Sequence, residues 1–383
     1  MAAERPRPED FLELVQRGKR GRLKLYLGFA AGVGKTYRML EEAHALERRG
    51  VDVVLGFIET HGRVETHALL DGLEQVPTKK IEYRGLTIAE MDVEAVIARR
   101  PQVALVDEIP HTNPPGCRNA KRYQDVYDIL EAGINVICAF NVQHLESLKD
   151  VVERVTGVAI RETVPDTFLK MADQVVNIDL DIEDLVDRLN AGKIYDSSKV
   201  GWALEHFFRN SNLLTLRELA LREVAESVDR SAVAAERKPT DAHRQATGRV
   251  MVCMASSSPN ATTLLRRGSR LAGRLNTDWF VVYVETPSEA PHLIDSSAQR
   301  RLLANIEKAR ELGAEVVRLH GKDPVSSLID FARSHGVAIV MIGRTHQRGL
   351  KGVLRRSFMY DFVEEADGLD LHIVSFEDEE PVS

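Results

Sequence analysis

Short apolar runs separated by helical patterns recur twice along this chain, and that alternation leaves few folds open. Leu23–Ala30, Val51–Ile58, Val103–Val106, Asn135–Val142 and Gln174–Leu180 are largely apolar on both faces and rich in β-branched residues. Strands of a parallel sheet covered on each side by helices read this way. Thr36–Arg49, Arg122–Ala132 and Leu145–Val155 carry helical spacing between them. The pattern predicts an α/β fold with a parallel sheet. Ile182–Asn190 and Gly201–Ser227 then read as mostly helical, with no further strong strand.

The polar, aperiodic stretch Asp229–Gly248 reads as a linker. A second alternation follows it. Arg249–Ala255, Trp279–Glu285, Glu315–His320, Val337–Ile342 and Leu371–Phe376 are strand candidates. Asn260–Leu275, Ala298–Leu312, Pro324–His335 and Gly352–Glu365 are the helical patterns between them. That is enough for one doubly wound α/β domain. The expected division is 1–228, a linker at 229–248, and 249–383. The halves share an architecture but no matching residue string.

Composition narrows the function. The 383 residues suit two domains of ordinary size. A formal net charge of −7 argues against a nucleic-acid partner, because no basic excess is available to neutralise phosphates along a duplex. Cys117, Cys138 and Cys253 are odd in number and far apart, which excludes a zinc cluster or a disulfide framework and fits a reducing compartment. The N-terminal stretch has no apolar signal core, and no apolar run approaches the ~20 residues that span a bilayer. The expectation is a soluble, cytoplasmic chain without a membrane segment.

The sharpest motif is Gly32-Val33-Gly34-Lys35-Thr36, placed between a predicted strand and a predicted helix. That is the setting of a P-loop. Glycines let successive backbone N–H groups turn toward one anion, and the helix N-terminus adds positive partial charge. On this reading Ala31, Gly32, Val33, Gly34, Lys35, Thr36 and Tyr37 bind the phosphates of a purine nucleoside triphosphate, ATP with Mg²⁺. Lys35 reaches the β and γ oxygens, and the Thr36 hydroxyl binds the metal. The spacing departs from GxxxxGK[ST] at one point. Phe29 stands where the first glycine belongs and Gly28 comes one residue early, so the loop is expected to take a somewhat different path.

Val103–Val106 ends in Asp107 and Glu108. In P-loop proteins the first acid at such a strand end positions Mg²⁺, and a following Glu orients an attacking water. Lys35, Asp107 and Glu108 are therefore the candidate catalytic set, with Thr36 and Asp107 at the metal. Two further polar clusters follow strands, Glu59-Thr60-His61-Gly62-Arg63 and Asn141-Val142-Gln143-His144. Asn141 and Gln143 are candidates to sense the terminal phosphate, against the plain alternative of loop and cap chemistry. The basic segment His111–Arg122 either closes a cation over the nucleotide, from Arg118, Lys121 or Arg122, or is a solvated loop. The histidines have no metal-ligand spacing, and Cys117 reads as an incidental loop thiol.

These strings together resemble the KdpD family, sensor histidine kinases for potassium and osmotic stress. GRLKLYLGFAAGVGKTYRML, IETHGRVET, DEIPHTNPPGCRNAKRYQDV, AGINVICAFNVQHLESLKDVV, VPDTFLKMADQVVNIDL and FFRNSNLLTLRELALR carry the resemblance over about residues 9–230. Ser211 departs from it, standing at the glycine of FFRxGNL. The resemblance implies a cytoplasmic P-loop domain that binds ATP, with slow hydrolysis allowed. Residues 249–377 are similar to the universal stress protein domain that follows in this family. Its nucleotide motif, G-x2-G-x9-G-[ST], is kept at Gly343 and Ser357 but broken by His346 and Arg356. A Cβ at those points obstructs a triphosphate. The basic loop left behind, with Arg344 beside Gly343, suits a phosphate-bearing ligand or an acidic partner surface. Ser256 and Ser258, followed by the strand Trp279–Tyr283, fit the spacing of a cyclic di-AMP site in some of these domains.

The transmembrane and kinase parts of that family are not in this sequence, so no autokinase activity is expected of these residues alone. Three functions compete. One is a regulatory ATP-sensing module relaying to a protein partner, whether kinase core, response regulator or transporter, through the second domain. Another is a stand-alone ATPase or small-molecule kinase. The third is a scaffold with a structural nucleotide.

Overall fold

A computed structural model describes residues 20–83, 85–236, 248–255, 260–287, 295–344 and 350–376. The chain divides into two compact units, with the main change between Val228 and Asp229; the second also takes in Glu146–Asp150 and Pro165–Thr167.

The first unit is built on a six-stranded sheet. Its strands are β1 (Leu23–Gly28), β2 (Val53–Phe57), β3 (Glu74–Gln75), β6 (Val103–Val106), β7 (Asn135–Asn141) and β8 (Gln174–Ile178), in the order β3-β2-β6-β7-β1-β8. Every pairing in it is parallel. The expected strand cores are all here, trimmed by a few residues at their ends. Helices cover both faces, as fully apolar strands require. Tyr26, Leu55, Leu105, Ile137 and Ala139 pack with Met39, Leu40 and Ala43 of the helix Lys35–Glu47. On the other side Phe140 meets Phe168, which also contacts Tyr123 and Tyr127 of the helix Arg122–Glu131.

An antiparallel hairpin, β4 (Lys79–Tyr83) and β5 (Leu86–Glu90), was not foreseen. Its strands are mostly exposed and polar, so they carry no buried-strand signature. The hairpin delivers Glu90, 2% exposed, to Arg122, 1% exposed. Arg122 Nη2 donates to Glu90 Oε2 at 2.7 Å, and His111 Nε2 donates to Oε1 at 2.7 Å. The guanidinium also lies 3.9 Å from the centre of the Phe57 ring.

Helices Ile182–Asn190, Ser197–Glu205 and Asn210–Glu236 follow β8. The last corrects the expected linker, whose residues 229–236 are helical. Ala232, Ala234 and Ala235 favour helix without needing a periodic apolar face. Residues 237–247 lie outside the described set. No helix among the described residues is long and apolar enough to cross a membrane.

The second unit is a parallel five-stranded sheet in the order β11-β10-β9-β12-β13, with β9 (Arg249–Cys253), β10 (Trp279–Glu285), β11 (Glu315–His320), β12 (Val337–Arg344) and β13 (Asp370–Ser375). Alternate residues feed two cores. Val250, Val252, Trp279 and Val281 face one layer of helices; Met251, Cys253, Phe280 and Val282 face the other. The order reverses direction about β9, the doubly wound pattern expected from the sequence.

The Glu90–Arg122 pair generates a stability prediction. Arg122→Ala leaves a buried carboxylate without its main partner and is expected to cost about 3–5 kcal/mol in urea unfolding. A loss below ~1 kcal/mol, typical of an exposed ion pair, would contradict the burial described here.

Candidate functional site

β1 ends at Gly28, and the chain turns through Phe29–Gly34 into the helix Lys35–Glu47. Gly32 (φ 89°) and Gly34 (φ 101°) occupy the left-handed region, which glycine enters without a Cβ penalty. The displaced glycine now has a reason. A Cβ on Gly28 would lie 2.7 Å from Val33 Cγ2 and 2.9 Å from Lys35 Cδ, so position 28 is where the returning loop approaches the strand. Phe29 is 1% exposed and belongs to the core.

Strand order determines what meets this loop. β7 lies between β1 and β6, so Asn141 at the end of β7 stands between Lys35 and the acids that follow β6. A half-open cleft lies at these strand ends. Ala31, Gly32, Lys35, Thr36, Asp107, Glu108 and Asn141, all expected at the site, line it. Val33 is instead buried, Tyr37 is exposed, and Gln143 is absent from the lining.

Lys35 Nζ donates to Asn141 Oδ1 and to Ala30 O (3.3 Å). Burial lowers its pKa to about 8, although Asp107 and Glu108 oppose the shift. The Thr36 hydroxyl donates to Asp107 Oδ2 at 2.7 Å, and the Glu108 N–H donates to Oδ1 at 2.9 Å. Asp107 is 4% exposed. Burial first, and the Glu108 charge second, raise its carboxyl from 3.8 to about 6.

Glu108 is held differently. Its Oε1 accepts from His61 Nε2 at 3.1 Å. That hydrogen bond lowers the Glu108 pKa and raises that of His61. Both residues have positive φ, 54° and 50°, an uncommon conformation for non-glycine residues. His144 donates from Nδ1 to Glu162 O at 2.9 Å, and burial lowers its pKa, so its ring is the neutral tautomer with Nε2 toward Gln143.

The basic segment does not reach the cleft. Arg122 is buried against Glu90, Arg118 pairs with Asp128 at 2.9 Å, and Lys121 donates to Thr112 Oγ1 at 2.6 Å. Its cations hold the loop in place. The residues that do approach the P-loop-like turn come from far along the chain, and no local signal marks them. Arg188 Nη1 donates to Gly32 O at 3.1 Å. A Cβ on Gly32 would lie 2.2 Å from Ile194 Cδ1.

The donor set fits magnesium delivered with a phosphate chain. Among the described residues no three His, Cys, Asp or Glu side chains group around a metal. One hydroxyl and one carboxylate, from Thr36 and Asp107, match the few protein ligands Mg²⁺ takes when phosphate oxygens and water supply the rest. In the second unit, Ser256 and Ser258 lie outside the described residues, as do the side chains of Arg344 and Ser357. Trp279 and Tyr283 are core residues, 2% and 8% exposed. A Cβ on Gly343 would meet Phe376 Cε2 at 2.8 Å.

Fold and site define an α/β protein with a P-loop-like parallel-sheet unit followed by a unit of universal stress protein type. The KdpD family model, "Osmosensitive K+ channel His kinase sensor domain", matches residues 19–228, and the "Universal stress protein family" model matches residues 247–367. The chain belongs to the KdpD family. It is 43% identical over 374 residues to the "Sensor protein KdpD" of Escherichia coli, covering 98% of this chain and 41% of that protein. A Synechocystis sp. relative carrying the KdpD name is 40% identical over 361 residues, covering 93% of this chain and 95% of the relative. The chain thus spans about two fifths of the length of the Escherichia coli protein. Of solved structures, "Crystal structure of universal stress protein in complex with cAMP" aligns at 21% identity with 34% of this chain and 98% of its own, TM-score 0.26.

The Asp107 environment generates a pH prediction. Its folded pKa lies above the ordinary value, so the folded form holds its proton to higher pH and the unit loses stability as pH rises from 3.8 to about 6. Asp107→Asn still accepts from the Glu108 N–H through Oδ1 and can donate from Nδ2 to the Thr36 hydroxyl oxygen, so one hydrogen bond is kept and one is reversed, with no charge to bury. It is expected to be more stable than wild type at pH 7 by about 3 kcal/mol. The two should converge below pH 3.8. Urea unfolding across pH measures this; a gap that does not change with pH would contradict it.

Proposed function

We propose that the first unit binds ATP with Mg²⁺ and serves as the nucleotide-sensing part of a KdpD-type sensor module. One observation carries this reading. Lys35 and Thr36, neighbours on the first helical turn, reach into the same cleft as Asp107, and the Thr36 hydroxyl already contacts its carboxylate. An amino group for phosphate beside a hydroxyl–carboxylate pair for magnesium is the arrangement phosphate binding at a helix N-terminus needs. The family supplies the adenine and the sensory context. The named relatives are sensor proteins, so the signal is read as passing to a kinase core, response regulator or transporter, with the second unit as the contact surface. Potassium or osmotic stress is the proposed stimulus.

Hydrolysis is the second reading, favoured by Glu108 directly after Asp107. Against rapid turnover stands the His61–Glu108 hydrogen bond, which engages one oxygen of the carboxylate that would orient water and fixes its position. The regulatory reading is therefore preferred, with slow hydrolysis compatible with it.

Calorimetric titration of the whole chain with ATP in excess Mg²⁺ tests the proposal. Lys35→Ala removes a charge-assisted contact and is expected to weaken binding about 10–100-fold. Wild-type protein that binds no ATP would overturn the site. Turnover at or above about 1 s⁻¹, the ordinary enzyme range, would replace the sensing reading with an enzymatic one.

A further inference from the structure

Three cations lie around the loop, and two are already engaged. Lys35 donates to Asn141 and Ala30, and Arg188 donates to Gly32 O. Arg63 lines the same cleft in a different condition. Its Nε is buried with no hydrogen-bond partner. Burial is also the main influence on its guanidinium, lowering its pKa, while Asp107 and Glu108 attract it. Among the described residues no hydrogen bond or ion pair is found for it. A buried donor left unsatisfied costs about 1–3 kcal/mol, more for a charged group, so such a group in a polar cleft asks for an acceptor.

The backbone fixes where Arg63 stands. It follows the tight turn His61 (φ 50°) and Gly62 (φ 73°), its N–H donates to Thr60 O at 3.0 Å, and it begins the short helix Val64–His67. The turn leaves the end of β2, whose sheet neighbour is β6. Arg63 therefore approaches from the side of Asp107 and Glu108, opposite the β1 side from which the loop encloses a phosphate chain. A cation there is next to the far end of that chain.

We propose that Arg63 is the residue with which this site distinguishes a nucleoside triphosphate from a diphosphate, by donating to oxygens of the terminal phosphate. The proposal rests on the nucleotide reading of the cleft and adds its discriminating contact. Arginine suits the role, since its planar fork makes paired hydrogen bonds to phosphate oxygens.

The test uses the whole chain, wild type, Arg63→Gln and Arg63→Lys, titrated with Mg²⁺ and either ATP, a non-hydrolysable ATP analogue or ADP, with thermal unfolding of each variant alongside. Arg63→Gln is expected to weaken the two triphosphates by on the order of 10–100-fold and to leave ADP within about twofold, within the spread of a neutral substitution. Arg63→Lys keeps the charge without the fork and should fall between. Equal losses for tri- and diphosphate, or no loss for either, overturn the role of Arg63 while leaving the nucleotide site standing; the first result would make Arg63 only a counter-ion to Asp107 and Glu108. Wild-type protein that binds neither ATP nor ADP overturns the site and this proposal together.

Discussion

The cleft depends on a separation of charge that strand order enforces. Lys35 opens the helix that follows the loop after β1, and Asp107 follows β6, with β7 between those two strands. Those strands are two spacings apart, roughly 10 Å, and among the described residues the two groups line one cleft without a direct ion pair. Each finds a neutral partner instead: Lys35 the Asn141 amide oxygen, Asp107 the Thr36 hydroxyl. Both are held from water, and their pKa values move toward neutrality, to about 8 and about 6.

Much of this was legible in the sequence because the residue types carry it. Runs apolar on both faces can only be covered strands, so β1, β2, β6, β7, β8 and all five strands of the second unit were readable, as were the loop and the Asp107-Glu108 strand end. What escaped depends on contacts that sequence spacing does not encode. The β4–β5 hairpin has no apolar run, and its purpose, placing Glu90 against Arg122, shows only when both are buried together. Arg122 looked like a candidate phosphate cation for the same reason: basicity is visible in a string of letters, and a buried partner is not. Arg188 reaches Gly32 across a separation of 156 residues. The first part of the linker, residues 229–236, is helical instead: absence of periodicity signals absence of a packing face, and an alanine-rich segment can stay helical without one.

The distribution of strain distinguishes the cleft from the rest of the chain. Among the described residues, four non-glycine residues have positive φ: His61, Arg100, Glu108 and Asn276. Arg100 is the C-cap of the helix Val93–Arg99, and Asn276 directly follows the C-cap of Ala261–Arg274. Left-handed residues are common at helix ends because they satisfy the last carbonyls. His61 and Glu108 end no helix. They flank the cleft, and their side chains hold each other. Residues in such conformations cost on the order of 1–3 kcal/mol each and persist where the surroundings over-determine them.

That strain coincides with the raised Asp107 carboxyl and the orphaned Arg63 Nε. A scaffold free to optimise stability would neutralise Asp107, pair Arg63 and place glycine at 61 and 108. The first two departures share one remedy. An anion in the cleft would give Arg63 an acceptor and Lys35 a third one, and a divalent cation carried with that anion would offset the charge on Asp107. The His61–Glu108 contact needs neither, so it can hold through binding and restrain Glu108 while the cleft is filled. Filling the cleft would therefore relieve the cost of Arg63 and of Asp107 together, and this is the physical ground on which the nucleotide-sensing proposal rests.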